Sequence, residues 1–256
     1  MSSPQSTPGT PLRLVLTSLL RADFTVFLKN RRGLLLSIIL PLFILATTNS
    51  STSTHNFGGA LFIIGLAIAY GLVSASILGY ALTVARDRDQ GVFQRLRVTP
   101  APTWTIMTSR LTMQGLANLL ITLVVVIVGS RLHHISLSAG TYGLVLLVSI
   151  LGGAVFLSIG QALVGLVRSA ESVNAAGRVL TIGLILLGTF GQSGTLGPTW
   201  ESIARWSPVG AVMTLFAAVL NLSTWDSHDS LNLLVCGGYI AVFAGIGIRW
   251  FQWDAR

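Results

Sequence analysis

Charged side chains are scarce in this sequence, 9% of 256 residues, so the places where they gather are where chemistry would be done. The densest gathering is ARDRDQGVFQRLRVTPAPTW, residues 85–104. With residues 86–98 as a short helix, the carboxylates of Asp87 and Asp89 stand near its start and the guanidinium groups of Arg95 and Arg97 at its end. That order complements a helix dipole. Val92, Phe93 and Leu96 then form an apolar stripe, with Arg88 and Arg95 flanking it, and Pro100 and Pro102 stop the helix from running on. The predicted product is a stiff amphipathic rod that can pass a push from whatever lies beneath it to the elements at its two ends.

Other constellations are sparser. Glu171, Asn174 and Arg178 recur at i, i+3 and i+7, one face of a helix. Inside an apolar segment they would be a transport site or a structural ion pair. Gln114, Asn118 and Gln161 are large uncharged polar groups in apolar runs, suited to lining a pathway or to hydrogen bonding between helices. His133 and His134 adjoin Arg131, and His55 and His228 stand alone; none has acidic ligands nearby in sequence, so no metal is predicted. A His-Glu-x-x-His sequence, a serine elbow and a Gly-x-x-x-x-Gly-Lys-Ser/Thr phosphate loop are all missing. No catalytic residue is therefore predicted, and ATP, if used, falls to another polypeptide. Cys236, the single cysteine, cannot form an intrachain disulfide.

The elements that position these residues are apolar. Hydrophobic residues make up 52% of the chain and the mean hydropathy is +0.76, whereas a soluble domain carries about 25% charged residues. Crossing a hydrocarbon core of about 30 Å takes about 20 mostly apolar residues in a helix. Six segments meet that length approximately, near 34–49, 59–84, 104–129, 141–167, 174–192 and 231–250. Residues 1–11 read as a disordered tail of Ser, Thr, Pro and Gly. Residues 12–33 read as an interfacial amphipathic helix, with Leu16, Leu20, Phe24, Phe27 and Leu28 on one face. Residues 34–256 form the six-helix membrane domain, with a loop at 85–103 and an outer segment at 193–230.

The net charge of +8 would suggest nucleic-acid binding if it formed one face of a soluble fold, but the basic residues lie between apolar runs. With both termini in the cytoplasm of a cell whose plasma (inner) membrane holds the chain, all 16 Lys and Arg except Arg131 and Arg205 fall on the inner side or at its boundary. That is the positive-inside bias. The expected class is an all-α polytopic membrane protein in contact with lipids and not with nucleic acid.

The charged loop resembles that of type-2 ABC transporter permeases, whose pattern runs approximately Arg-Glu-Arg-Glu-x-Gly-Thr-Leu-Glu-x-Leu-Leu-Val-Thr-Pro. Arg86, Asp87, Arg88, Asp89, Gly91, Phe93, Arg95, Leu96, Val98, Thr99 and Pro100 follow it in register. Both acids are Asp here, and Val92, Gln94 and Arg97 replace Thr, Glu and an apolar residue. Gly188, Pro198, Trp200 and Pro208 also match the family's spacing around its outer segment. The resemblance implies a permease that pairs with a second permease chain, identical or homologous. It further implies an ATPase subunit bound through Asp87, Arg88, Asp89, Gly91, Phe93, Arg95, Leu96 and Pro100, with ATP and Mg held by that subunit and none in this chain. It implies outward transport of a drug or lipid; a polysaccharide permease of the same family is the alternative. An ion-coupled secondary transporter would place acids or broken helices near mid-membrane, and none is evident.

Overall fold

The structure, a computed structural model, describes residues 12–29, 31–48, 59–97, 103–192 and 197–250; the expected tail and Pro100 lie outside these. Every regular element among the described residues is a helix. Five are long and apolar enough to cross a membrane: α3 (Ala60–Asp89), α5 (Thr103–Leu132), α6 (Ala139–Leu166), α7 (Ala170–Gln192) and α10 (Ser227–Trp250). Before them come α1 (Leu12–Lys29) and α2 (Arg31–Thr47); α4 (Val92–Arg97) follows α3, while α8 (Pro198–Trp206) and α9 (Pro208–Leu220) separate α7 from α10.

The first expected span, 34–49, coincides with α2, in which Ser37–Thr47 is an apolar helix among the described residues. One expectation changes. The outer segment, 193–230, is not all outside the bundle: α9 lies within it, and ten of its 13 residues are buried. α8 and α9 meet at an angle of 82° around Ser207 and reach spanning length only as a pair, so among the described residues the candidate spans number five, or six with that pair as one. The apolar sequence AVMTLFAAVL made α9 possible, but at about 20 Å it is too short to cross alone and was hidden from a length criterion.

α3 is the axis. Ile63 to Val73 are all buried, packed against α2, α5 and α9. Its turns widen to a π-helix over Ser74–Ala81 and return to α geometry over Leu82–Asp89. α10 lies along α6 and α9 and leaves most of its surface outward. Leu147, Ile150, Val179, Ile182, Leu234 and Ile248 are exposed, as apolar side chains facing lipid would be. α1 lies against α5, where Ser109 Oγ donates to Asp23 Oδ2 at 2.5 Å.

The bend at Ser207 rests on one hydroxyl and one glycine. Ser207 Oγ donates to the Ala204 carbonyl at 2.6 Å, ending α8, and accepts from Gly210 N at 3.1 Å, starting α9. A Cβ at Gly210 would overlap the Ala204 carbonyl oxygen. Gly210→Ala should therefore lower stability by about 1–3 kcal/mol, as overpacking does. Gly237→Ala on α10, where a Cβ meets nothing within 4 Å, should leave the thermal midpoint of the detergent-purified protein unchanged. Equal midpoints for the two variants would refute the tight crossing.

Candidate functional site at the charged end of the bundle

The expected single helix over residues 86–98 is in fact two pieces. α3 continues to Asp89, Gln90 and Gly91 make a turn, and α4 begins at Val92. Gly91 has φ +69°, a conformation nearly closed to residues with a Cβ, and its N–H donates to the Arg88 carbonyl at 3.0 Å. Asp87 and Asp89 therefore sit at the end of a spanning helix, not at the start of a loop helix.

Side chains one residue apart on a helix diverge by about 100°, and three successive residues here reach three different helices. Asp87 Oδ2 accepts from Arg110 Nη1 on α5. Arg88 Nη1 donates to the Val164 carbonyl at 2.8 Å, and Nη2 to those of Val167 at 3.0 Å and Arg168 at 2.7 Å. These carbonyls lie at and just past the end of α6, which has no later turn of its own to satisfy them. Asp89 Oδ2 accepts the Ala170 N–H at 2.7 Å, the first residue of α7, and Ser169 Oγ accepts from Ser172 N at 3.1 Å. A cation at one helix's C-terminus and an anion at the next one's N-terminus both oppose the local dipole charge. Residues 167–169, joining α6 to α7, are thus held from α3.

Phe93 is turned inward. It is 1% exposed and packs with Tyr80, Val84, Ala85, Ile106, Val164 and Val173, and the Arg110 guanidinium lies 5.3 Å over its ring. The expected outward apolar stripe is corrected accordingly: Phe93 and Arg88, at 1% and 3% exposure, are buried. Arg95 is exposed, Val92 half-buried, and Leu96 lies in the last turn of α4.

The polar residues expected in the spans divide into two groups. Gln114 Nε2 donates to the Ala75 carbonyl at 3.2 Å and to Asn118 Oδ1 at 3.3 Å, and Asn118 Nδ2 donates to Ser76 Oγ at 3.3 Å. Tyr80 OH donates to Gln161 Oε1 at 2.9 Å. All of these bonds but the one from Gln114 to Asn118 involve the π-helical stretch of α3, and they place Gln114, Asn118 and Gln161 in contacts between helices. Asn118 is fully enclosed, and a Cβ at Gly153 would lie 2.9 Å from its amide nitrogen. Glu171, Asn174 and Arg178, by contrast, make no buried ion pair. Arg178 Nε donates to Asn174 Oδ1 at 3.2 Å, Glu171 and Arg178 are exposed, and no bridge joins them among the described residues. His133, past the far end of α5, is half-buried, and desolvation holds its imidazole below the usual range. No group of three metal-ligating side chains gathers among the described residues.

Sequence reasoning missed Arg110, Ser76, Tyr80 and the Thr122–Ser149 hydroxyl pair at 2.6 Å. A lone Ser or Tyr in an apolar run carries no signal of its partner. Arg110 was visible as a charge seven residues into a span, and its need for an acid pointed back to the Asp-containing loop.

Arg88→Lys should lose stability by about 2 kcal/mol or more, because an ammonium on a single stem cannot serve three diverging carbonyls. The exposed Arg86 is the control, with Arg86→Ala within about 0.5 kcal/mol of the parent. Thermal unfolding in detergent checks both, and a neutral Arg88→Lys would overturn the capping role.

Comparison with known proteins bears on the whole arrangement. The sequence profile described as ABC-2 type transporter matches residues 15–221, from α1 to just past α9. A protein of Bacillus subtilis (strain 168) named "Putative transport permease YvfS" is 24% identical over 192 residues, which cover 73% of this chain and 78% of that protein. With long apolar helices, a charged loop in the family's register and a profile match over most of its length, this multi-pass membrane chain belongs to the ABC-2 type transporter family.

Proposed function

We propose that this chain is the membrane-spanning permease subunit of an ATP-binding-cassette exporter, with its charged end in the cytoplasm against a separate ATPase subunit that binds ATP and Mg. The observation that carries this reading is the linkage of Asp87, Arg88 and Asp89 to α5, α6 and α7. A displacement of the short α4 segment reaches α3 through the Gly91 turn. From there it is delivered to three further helices through bonds that are short and charge-assisted, buried at Arg88 and more open to water at Asp89. A device of this kind converts a movement beneath the bundle into a rearrangement of the bundle. The basic residues of the charged end support the cytoplasmic assignment.

A second permease chain, identical or homologous, completes the translocation path, because one bundle has few polar groups to line it with. Several polar side chains of the interior are already bonded to one another, as with Asn118 to Ser76 and Tyr80 to Gln161, while Asn232 Oδ1 and Thr181 Oγ1 stay without a partner among the described residues. An ionic solute would find few groups to replace its water. An amphipathic or hydrophobic cargo, a drug or a lipid taken from the inner leaflet, suits such an interior.

Vesicles holding the permease and its ATPase should show ATP-dependent export that rises with lipophilicity across a graded series of amphiphiles. If they ignore the whole series and move a lipid-linked glycan, the polysaccharide reading replaces this one. If no ATPase activity responds to any cargo, the permease assignment fails.

A further inference from the structure

The charges at the α4 end do not balance. Asp87 is taken by Arg110, Asp89 by the Ala170 N–H, and Arg88 by three carbonyls, with Asp89 Oδ1 a further 3.7 Å from its Nε. What remains on the surface is cationic. Arg86 at the end of α3, Arg95 on α4 and Arg168 in the α6–α7 turn are all exposed, and none makes an ion pair or side-chain hydrogen bond among the described residues. The three belong to one locality. The Arg86 carbonyl accepts from Gln90 N, Arg95 N donates to the Gly91 carbonyl, and the Arg168 carbonyl is bonded by Arg88. Glu171, in the first turn of α7, is exposed like Asp89 and bridges to none of the three arginines among the described residues.

Apolar anchoring is weak at the same place among the described side chains. Phe93, the large apolar side chain of this turn, points inward at 1% exposure, and the outward positions beside it are Gln90, Gln94 and Arg95. A segment that docks on lipid leaves its aromatic or aliphatic side chains facing out; this one withdraws Phe93 and presents guanidinium and amide groups. Such a face fits a wet, polar protein surface of opposite charge.

Resting on the permease reading above, we infer that Arg86, Arg95 and Arg168 form a cationic docking face for a carboxylate-lined surface of the ATPase subunit, and that electrostatic pairing, not insertion of Phe93, holds the two together. Guanidinium groups pair with carboxylates in a bidentate geometry. Contacts of exposed charge weaken with salt, since the screening length falls from about 8 Å at 0.15 M to about 3 Å at 1 M.

The test is capture of the co-expressed ATPase subunit by the full-length permease in nanodiscs of neutral lipid. Wild type should retain the ATPase at 0.15 M salt and release most of it at 1 M. The triple change Arg86→Glu, Arg95→Glu and Arg168→Glu should lower capture by about tenfold at 0.15 M, as like-charge juxtaposition does, with an unchanged thermal midpoint to show that the bundle is intact. The triple Lys variant should keep capture within about threefold, since it keeps the charge. Equal capture by wild type and the Glu variant would overturn the docking face while leaving the permease reading in place. Capture that needs anionic lipid would reassign the three arginines to headgroups and equally overturn it. Wild type that takes up no ATPase in either lipid would remove the permease reading itself, and this inference with it.

Discussion

A guanidinium at 3% exposure persists only where acceptors and opposite charge compensate it, because desolvating the charge without compensation costs several kcal/mol. Arg88 has three hydrogen bonds to carbonyls at and just past the end of α6 and the Asp89 carboxylate 3.7 Å from its Nε. The two sides satisfy one another's deficits. A helix ending in an extended residue, Val167 with ψ 131°, leaves carbonyls without partners, and a buried cation needs acceptors. Neither arrangement is stable alone. Asp89 does the same for the first N–H of α7, so the three-residue connection between two long helices is held by groups it does not contain. Removing α3 from this corner would leave α6 uncapped, α7 reliant on Ser169, and Arg110 without its acid.

The π-helical stretch of α3 belongs to the same mechanics. An i→i+5 turn is looser than an α turn and can leave carbonyls to other donors. Here Ala75 gives its carbonyl to Gln114, Ser76 receives Asn118, and Tyr80 reaches Gln161. The polar layer therefore lies where α3's backbone departs from α geometry, between the tightly packed half at Ile63–Val73 and the charged end at Asp87–Asp89. Two rigid stretches joined by a less regular one can shift against each other at lower cost than a uniform rod. The hydrogen bonds from α5 and α6 mark the neighbours that would have to follow.

Much of this was legible in the sequence because it rests on composition. Long apolar runs declare themselves by hydropathy, and α3, α5, α6, α7 and α10 were all anticipated within a few residues at most boundaries. The charged loop was also legible, since its alternation of Arg and Asp is improbable in so apolar a chain. What escaped depends on partners distant in sequence. Phe93 reads as an outward apolar position only on an isolated helix; the neighbours that bury it, Ile106, Val164 and Val173, come from three other helices. α9 escaped because a 13-residue apolar helix and part of an outer loop look alike until the 82° bend at Ser207 is known. The presumed Glu171–Arg178 pair failed on orientation, for both side chains face away from the bundle.

The departures from the family pattern gain a physical meaning from this geometry. Where the pattern has Glu, this chain has Asp at 87 and 89, each one methylene shorter. Toward α5 the long Arg110 side chain covers the distance to Asp87. Toward α7 the shorter Asp89 reaches a backbone N–H, and the small residues Ser169 and Ala170 at the start of α7 permit that approach. Gln94 lies on the exposed side of the turn. Replacing the pattern's acid by this amide leaves the internal linkage untouched and removes outer negative charge. The two faces are thereby physically separable: the inward residues answer to the helices of this chain, and the outward ones to whatever this chain meets.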